Sequence, residues 1–222
     1  MPRSPSATQA SASAALRAPL TRERIESAAL ALIEELGIEG FSSRKLGQRL
    51  GCEAMSLYHH FSSKAVLLDA LVDRTLASIP IPARELPPGE RIRSLAQAWR
   101  AMARQQPRFY LWMGMQRWNS ATGVHFLAEV LDCFYAAGLP TEAAARGFHV
   151  VGYYVLGATM EETSGDDEAT SAVMPLPDSD VQRLYPQVAQ AGAYFTADQF
   201  DETFERGLSI LLRGLGIEST RN

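Results

Sequence analysis

Cysteine is almost missing from this chain: 222 residues carry two, Cys52 and Cys133. Neither has metal-ligand spacing, and two are too few for a disulfide scaffold, so a reducing cytoplasm is the expected setting. Lysine is equally scarce, with only Lys45 and Lys64. No stretch approaches the ~20 apolar residues that cross a bilayer, so no membrane partner is expected. Residues 1–19 (MPRSPSATQASASAALRAP) lack the apolar core of a signal peptide. Rich in Ser, Ala and Pro and free of acid, they read as a disordered arm, with Arg3 and Arg17 either DNA contacts or part of a passive tail. Period-two alternation is nowhere long enough for a sheet. A nucleophile elbow, a Walker loop and a dinucleotide fingerprint are all absent, so no enzyme signature is present. His59 and His60 sit about 100° apart on a helix and do not converge on a metal. His125 and Glu129 share a face but read as a solvated pair. Neither a metal nor any other cofactor is expected.

What the chain does have is a dense signal from Gly40 to Leu71 (GFSSRKLGQRLGCEAMSLYHHFSSKAVLLDAL). Ser42 is placed to cap a short helix whose inward residues are Leu46 and Leu50, and Gly51 ends it. Glu53 to His60 makes barely two turns, with Leu57 and Phe61 inward. Ser62 is the expected cap of a longer helix running from about Ser63 to Ile79. Two short helices around a glycine turn form a helix-turn-helix, whose second helix enters a DNA major groove. From Phe41 to Lys64, Arg44, Lys45, Arg49 and Lys64 stand against one acid, Glu53, giving a local +3 in a chain whose net charge is −4. A chain that is acidic overall can still carry a phosphate-binding patch. The expected phosphate contacts are Tyr58 and Lys64, assisted by Ser43 and the start of the helix at Ser63. Arg44, Ala54, Met55, Ser56 and His59 are expected to face base edges, where Arg reads guanine and Ala or Met meets a thymine methyl. Cys52 lies in the turn of the motif; it is either a redox-sensitive thiol or a small buried hydrophobe.

Around the motif the pattern is all-α. Thr21 caps a helix ending at Gly37, with Ile25, Ala28, Ala29, Leu32, Ile33 and Leu36 as its stripe. Pro80-Ile81-Pro82 and Leu86-Pro87-Pro88-Gly89 break the chain. The expected division is an arm over 1–19, a helix-turn-helix DNA-binding domain with its connecting helix over 20–79, and a larger helical domain over 80–222. In the last, helices are expected at about 90–105, 107–115, 121–137, 141–163, 179–191 and 198–214, with an acidic loop over 165–180. The faces at 147–160 and 200–215 are apolar. Gly147, Val151, Val155 and Ala158 form one stripe, and Phe200, Phe204, Leu208, Leu211, Leu212 and Leu215 the other. These faces read as either a dimer surface or protomer core. One short recognition helix is too weak against genomic competition, so two copies on a palindrome are expected.

At Gly37-Ile38-Glu39-Gly40-Phe41-Ser42-Ser43-Arg44-Lys45-Leu46, Leu50-Gly51, Leu57-Tyr58-His59-His60-Phe61 and Lys64 with Leu67-Leu68, the chain resembles the tetracycline-repressor (TetR) family of bacterial transcription regulators. A further likeness to the tetracycline-repressor subgroup appears at Val151-Gly152-Tyr153-Tyr154-Val155-Leu156-Gly157 and Met160-Glu161. The resemblance implies a homodimer paired through a four-helix bundle, a double-stranded DNA operator and a small-molecule effector. It also implies an effector cavity in the larger domain, for which Trp99, Met113, Gln116, Phe134, Phe148 and Tyr153 are the expected lining, with Arg117 and Asn119 as further polar groups. Tetracycline repressors hold their drug as a magnesium chelate and use a histidine for the metal. Here Met113-Gly114 stand around that place and offer no hard or imidazole ligand. Glu161 matches the acidic residue there, and Tyr153 stands where a drug-contacting histidine does. The expected activity is therefore that of a repressor released from its operator by an apolar or aromatic effector. The same pattern also admits an activator or an unliganded nucleoid factor. The alternative from another class is a helical-bundle ligand carrier or enzyme whose N-terminal motif does not bind DNA.

Overall fold

A computed structural model describes residues 19–163 and 174–218, and among these the regular structure is entirely helical. The arm expected over 1–19 lies outside the described residues except for Pro19, as does the expected acidic loop as far as residue 173.

Helix α1 (Arg22–Gly40) starts where expected, with the Thr21 hydroxyl accepting from the Arg24 amide. It buries Ile25, Ala29, Leu32 and Ile33 at helical spacing. Gly37, at φ 72°, breaks its run one turn before the end. Helix α2 (Ser43–Leu50) is capped by Ser42, which accepts from the Lys45 amide, and closes at Gly51 with φ 69°. An L side chain in that left-handed conformation costs about 1–2 kcal/mol. Helix α3 (Ala54–Tyr58) follows, and then α4 (Lys64–Ser78). The cap of α4 is Ser63 rather than Ser62: the Ser63 hydroxyl accepts from the Val66 amide at 3.2 Å. Of two adjacent serines, only the second stands three residues before an unpaired amide in the register the chain adopts.

The chain forms two compact units. The first runs up to Ser78 and takes in Gln106–Val124 as well; the second comprises Ile79–Gln105 and everything from His125. In the first unit, α6 (Pro107–Gly114) packs on α1 and buries Phe109, Tyr110 and Met113. The Glu34 carboxylate of α1 accepts from the Arg108 and Phe109 amides at the start of α6. Ser120 donates to Asp73 of α4 and accepts from the Gly123 amide, which caps the start of α7 (Ala121–Ala136).

The second unit holds α5 (Pro88–Gln105), most of α7, α8 (Thr141–Thr163), α9 (Asp178–Leu184), α10 (Pro186–Ala191) and α11 (Phe200–Gly214). The helix expected over 179–191 is two helices. Pro186 has no amide to continue the ladder, and Tyr185 before it leaves the helical region at φ −135°, ψ 60°. Along α5, Arg93, Gln97, Arg100 and Arg104 recur at helical spacing and face Glu205, Ser209 and Asp201 of α11 and Glu162 of α8. Arg100 is nearly buried; its Nε donates to both Glu162 oxygens at 2.8 and 2.9 Å, and its guanidinium lies 4.3 Å from the Phe204 ring centre. Taking both charges out of water carries a desolvation cost that these bonds offset.

One expectation about this unit is corrected. The stripe offered as a dimer surface on α8 faces the protomer's own core: Gly147, Val151 and Val155 are buried, and Ala158 is half-buried. Gly147 is there because a Cβ would sit 3.0 Å from the Phe134 ring. On α11, Leu208 and Leu212 are fully buried within the chain as well. The outward face of α8 is instead His149, Val150, Gly152, Tyr153, Gly157 and Met160, and that of α11 includes Arg206 and Ile210. The sequence pattern marked an apolar stripe correctly, but a stripe alone does not say whether its partner is the same chain or another.

Candidate nucleic-acid interface

The helix-turn-helix is assembled from inside. Leu46, Leu50, Leu57 and Phe61 are all buried, and they orient α2 and α3 so that their other faces look outward. Helix α3 has little hydrogen bonding of its own, and its end is held from α1. Arg22 donates to the His60 carbonyl at 2.8 Å and lies 4.3 Å from the Phe61 ring centre.

Of the residues expected to read DNA, Arg44, Met55, Tyr58 and His59 are exposed, Met55 by 68%. Ser43, Ala54 and Ser56 are half-buried. The patch charges differ in what else they do. Arg49 forms a two-pronged pair with Glu35 of α1, a partner that the motif's own charge tally does not include. That bond holds the Glu35 carboxyl below the usual carboxylate range. Lys45 donates to the Gly40 carbonyl at 2.8 Å. Lys64 donates to the Phe41 carbonyl at 3.0 Å and lies 5.2 Å from the Phe41 ring centre. Both lysines thus tie down the turn after α1, and each ammonium keeps further N–H groups for an incoming phosphate. Arg44 alone of the four has no ion pair or hydrogen bond among the described residues, which leaves its exposed guanidinium with all its donors available.

The expected effector residues are divided between the units. Met113, fully buried, and Gln116, exposed and bonded to the Trp112 carbonyl, are in the first. Trp99, Phe134, Phe148 and Tyr153 are in the second. Trp99 meets Phe126 edge-on at 5.8 Å, and Phe134 is fully buried. Tyr153 is 69% exposed on the outer face of α8, stacked on His149 at 5.6 Å. Glu129, considered with His125, pairs with Arg84 instead. Among the contacts that escaped the sequence reading are Glu35 with Arg49, and Arg22 with the His60 carbonyl and the Phe61 ring. Each joins a charged side chain of ordinary surface type to a group distant in sequence, and only the fold brings them together.

A glycine-turned helix pair with a basic outer face, set in an all-helical chain, defines the class: a helix-turn-helix DNA-binding regulator. Comparison with known proteins makes the assignment definite. The profile of bacterial regulatory proteins of the tetR family matches residues 25–71, and that of the tetracyclin repressor-like C-terminal domain matches residues 87–218. The tetracycline repressor protein class D of Escherichia coli is 30% identical over 212 residues, spanning 91% of this chain and 92% of that protein. The class A repressor from transposon 1721 of Escherichia coli is 31% identical over 199 residues, covering 85% and 87%. Among solved structures, the TetR family protein ActR of Streptomyces coelicolor in complex with (S)-DNPA superposes with a TM-score of 0.68 at 26% identity, covering 89% of this chain and 98% of that one. The chain belongs to the TetR family and is a ligand-responsive, DNA-binding transcriptional regulator. Members of the family bind operator DNA and small-molecule effectors and dimerise, and these are the partners of this chain. No helix among the described residues is long and apolar enough to cross a membrane.

Proposed function

We propose that the chain is a repressor that leaves a pseudo-palindromic operator when an apolar or aromatic effector binds, without a required metal. It works in the cytoplasm by binding alone, with no catalytic step. The observation carrying the DNA assignment is the exposed set on α2 and α3, in which Arg44 has no bonded partner among the described residues. Arg44, Ala54, Met55, Ser56 and His59 meet base edges, while Tyr58, Lys64 and Ser43 hold phosphates. Residues 20–79 form the DNA-binding domain, and 80–222 serve effector binding and dimerisation. The aromatic effector is supported by Trp99, Phe126, Phe134 and Phe148 within one unit, and by relatives named as tetracycline repressors or solved with (S)-DNPA. Freedom from a metal is supported by the full burial of Met113 in the helix core, where the resemblance would call for a ligand. The test selects operator sequences from random duplexes with the full chain and then screens aromatic compounds for release with and without magnesium. Release that depends on magnesium contradicts the metal-free reading, and failure to enrich any inverted repeat contradicts the repressor itself.

A further inference from the structure

Four arginines lie along α5, and the most buried of them is the least bonded. Arg93 donates to Glu205, Ser209 and Glu218, and Arg104 to Glu162 and Asp201. Arg100 donates to both Glu162 oxygens and also lies 2.9 Å from Asp201. Arg91 is 1% exposed, and its Nη2 donates to Asp132 of α7 at 3.1 Å. The Asp132 side chain is itself 38% exposed, so water competes for the carboxylate that pairs with Arg91. The Arg91 Nε is buried and has no hydrogen-bond partner among the described residues. A guanidinium stays charged and carries five N–H donors, and a buried charged donor without an acceptor bears its desolvation uncompensated.

The place of Arg91 in the second unit says what kind of acceptor fits. Arg91 meets Asp132 of α7, and eight residues along α5 Trp99 meets Phe126 of the same helix, so the two helices run antiparallel. Eight helical residues span about 12 Å. Between these ends Leu95 is buried. On α7, Phe126 and Cys133 are seven residues apart and both buried, hence on one inward face. The Arg91 charge acts on the Cys133 thiol, which sets the guanidinium against that face. The seam therefore has an aromatic pair at one end, an apolar middle and a buried cation with an unpartnered donor at the other. Trp99 is half-buried, so the aromatic end reaches solvent.

We propose that Arg91 is an anion-binding residue of the effector site, and that the effector is an aromatic acid. Its rings lie against Trp99 and Phe126, and its carboxylate accepts from the Arg91 Nε. The proposal rests on the aromatic-effector reading above and adds the anionic group to it. Asp132 competes with that carboxylate for the same guanidinium. An Arg91 that only holds α5 to α7 would affect an acid and its neutral ester equally.

The test uses the full chain and three matched pairs: anthracene-2-carboxylate, naphthalene-2-carboxylate and biphenyl-4-carboxylate, each beside its methyl ester. Binding is read by titration calorimetry for wild type, Arg91→Met, Arg91→Lys and Asp132→Asn, with inorganic phosphate as the anion lacking rings. In wild type at least one acid is expected to bind about tenfold more tightly than its ester, as a charge-assisted hydrogen bond gives. In Arg91→Met that acid and its ester bind alike, with the ester's affinity unchanged. Asp132→Asn removes the competitor and widens the preference for the acid. Arg91→Lys keeps the charge without the Nε donor and narrows it; these two variants carry the test should Arg91→Met not fold. Acid and ester bound alike in every wild-type pair, or a preference that survives in both Arg91 variants, overturns the proposal and leaves the aromatic effector standing. Phosphate bound as tightly as the best acid overturns it too, since the site would then hold a free anion. If no acid and no ester binds, this proposal and the aromatic-effector reading fall together.

Discussion

Among single residues, the four cations of the motif are not equivalent. Arg44 makes no ion pair or hydrogen bond among the described residues, so Arg44→Ala should leave stability unchanged within about 0.5 kcal/mol. If it reads guanine, it should cost ~1–3 kcal/mol on the selected operator and relax preference at one base position. Selection repeated with the variant checks both. Lys64 holds the Phe41 carbonyl as well as facing solvent. Lys64→Ala should weaken binding on all sequences alike, flatten the salt slope by about one unit and also lower thermal stability. Acid should loosen the head and the body for related reasons. Glu35 is held below the ordinary carboxylate range by Arg49, and Asp201 by Arg104 first and Arg100 second. Depressed carboxyls contribute stability that is complete above their unfolded values of about 4 and is lost as pH falls through the lower folded ones. Urea melts should therefore be flat in these contributions above about pH 5 and fall below it; Arg49→Met should remove the part due to Glu35.

Among helices, the sequence was most legible where a cap or a glycine marks a boundary. Ser42, Gly51, Thr21 and Gly37 each act as their chemistry required, and the α2–α3 core of Leu46, Leu50, Leu57 and Phe61 follows from spacing alone. It was least legible where two readings share one pattern. Ser62 and Ser63 are equivalent caps in sequence, and only the observed register picks Ser63. The stripe of Gly147, Val151 and Val155 has the small residues of a helix–helix seam, yet that seam is internal, against Phe134 and its neighbours. Charged contacts such as Glu34 with the α6 amides had no sequence signal, because an exposed-type glutamate on a helix predicts only solvation. The burial pattern changes what a dimer test must target. Leu208 is fully buried within the protomer, so Leu208→Glu should unfold the chain by burying an unpaired charge at a cost of several kcal/mol. Ile210 is 55% exposed on the same helix, so Ile210→Glu should leave the fold intact and give monomers. Sedimentation beside circular dichroism separates the two outcomes. A folded Ile210→Glu dimer would move the interface away from this face of α11.

In the molecule as a whole, a basic head, in a chain of net −4, is joined to an aromatic-rich helical body through three chain crossings. An effector can weaken operator binding by no more than its own preference for the released state. A compound that releases the operator should therefore bind the operator complex more weakly by the same factor, and Trp99→Ala should reduce its affinity without altering the operator affinity of unliganded protein. The measurement that bears most directly on the central claim is a stoichiometric anisotropy titration of a selected inverted-repeat duplex with the full chain over a salt series. The expected result is saturation at an even number of subunits per duplex, an affinity that falls steeply and linearly on logarithmic axes as salt rises, and preference relaxed at one base position of each half-site in Arg44→Ala. Binding that saturates at one subunit, or that ignores both salt and Arg44, would contradict it.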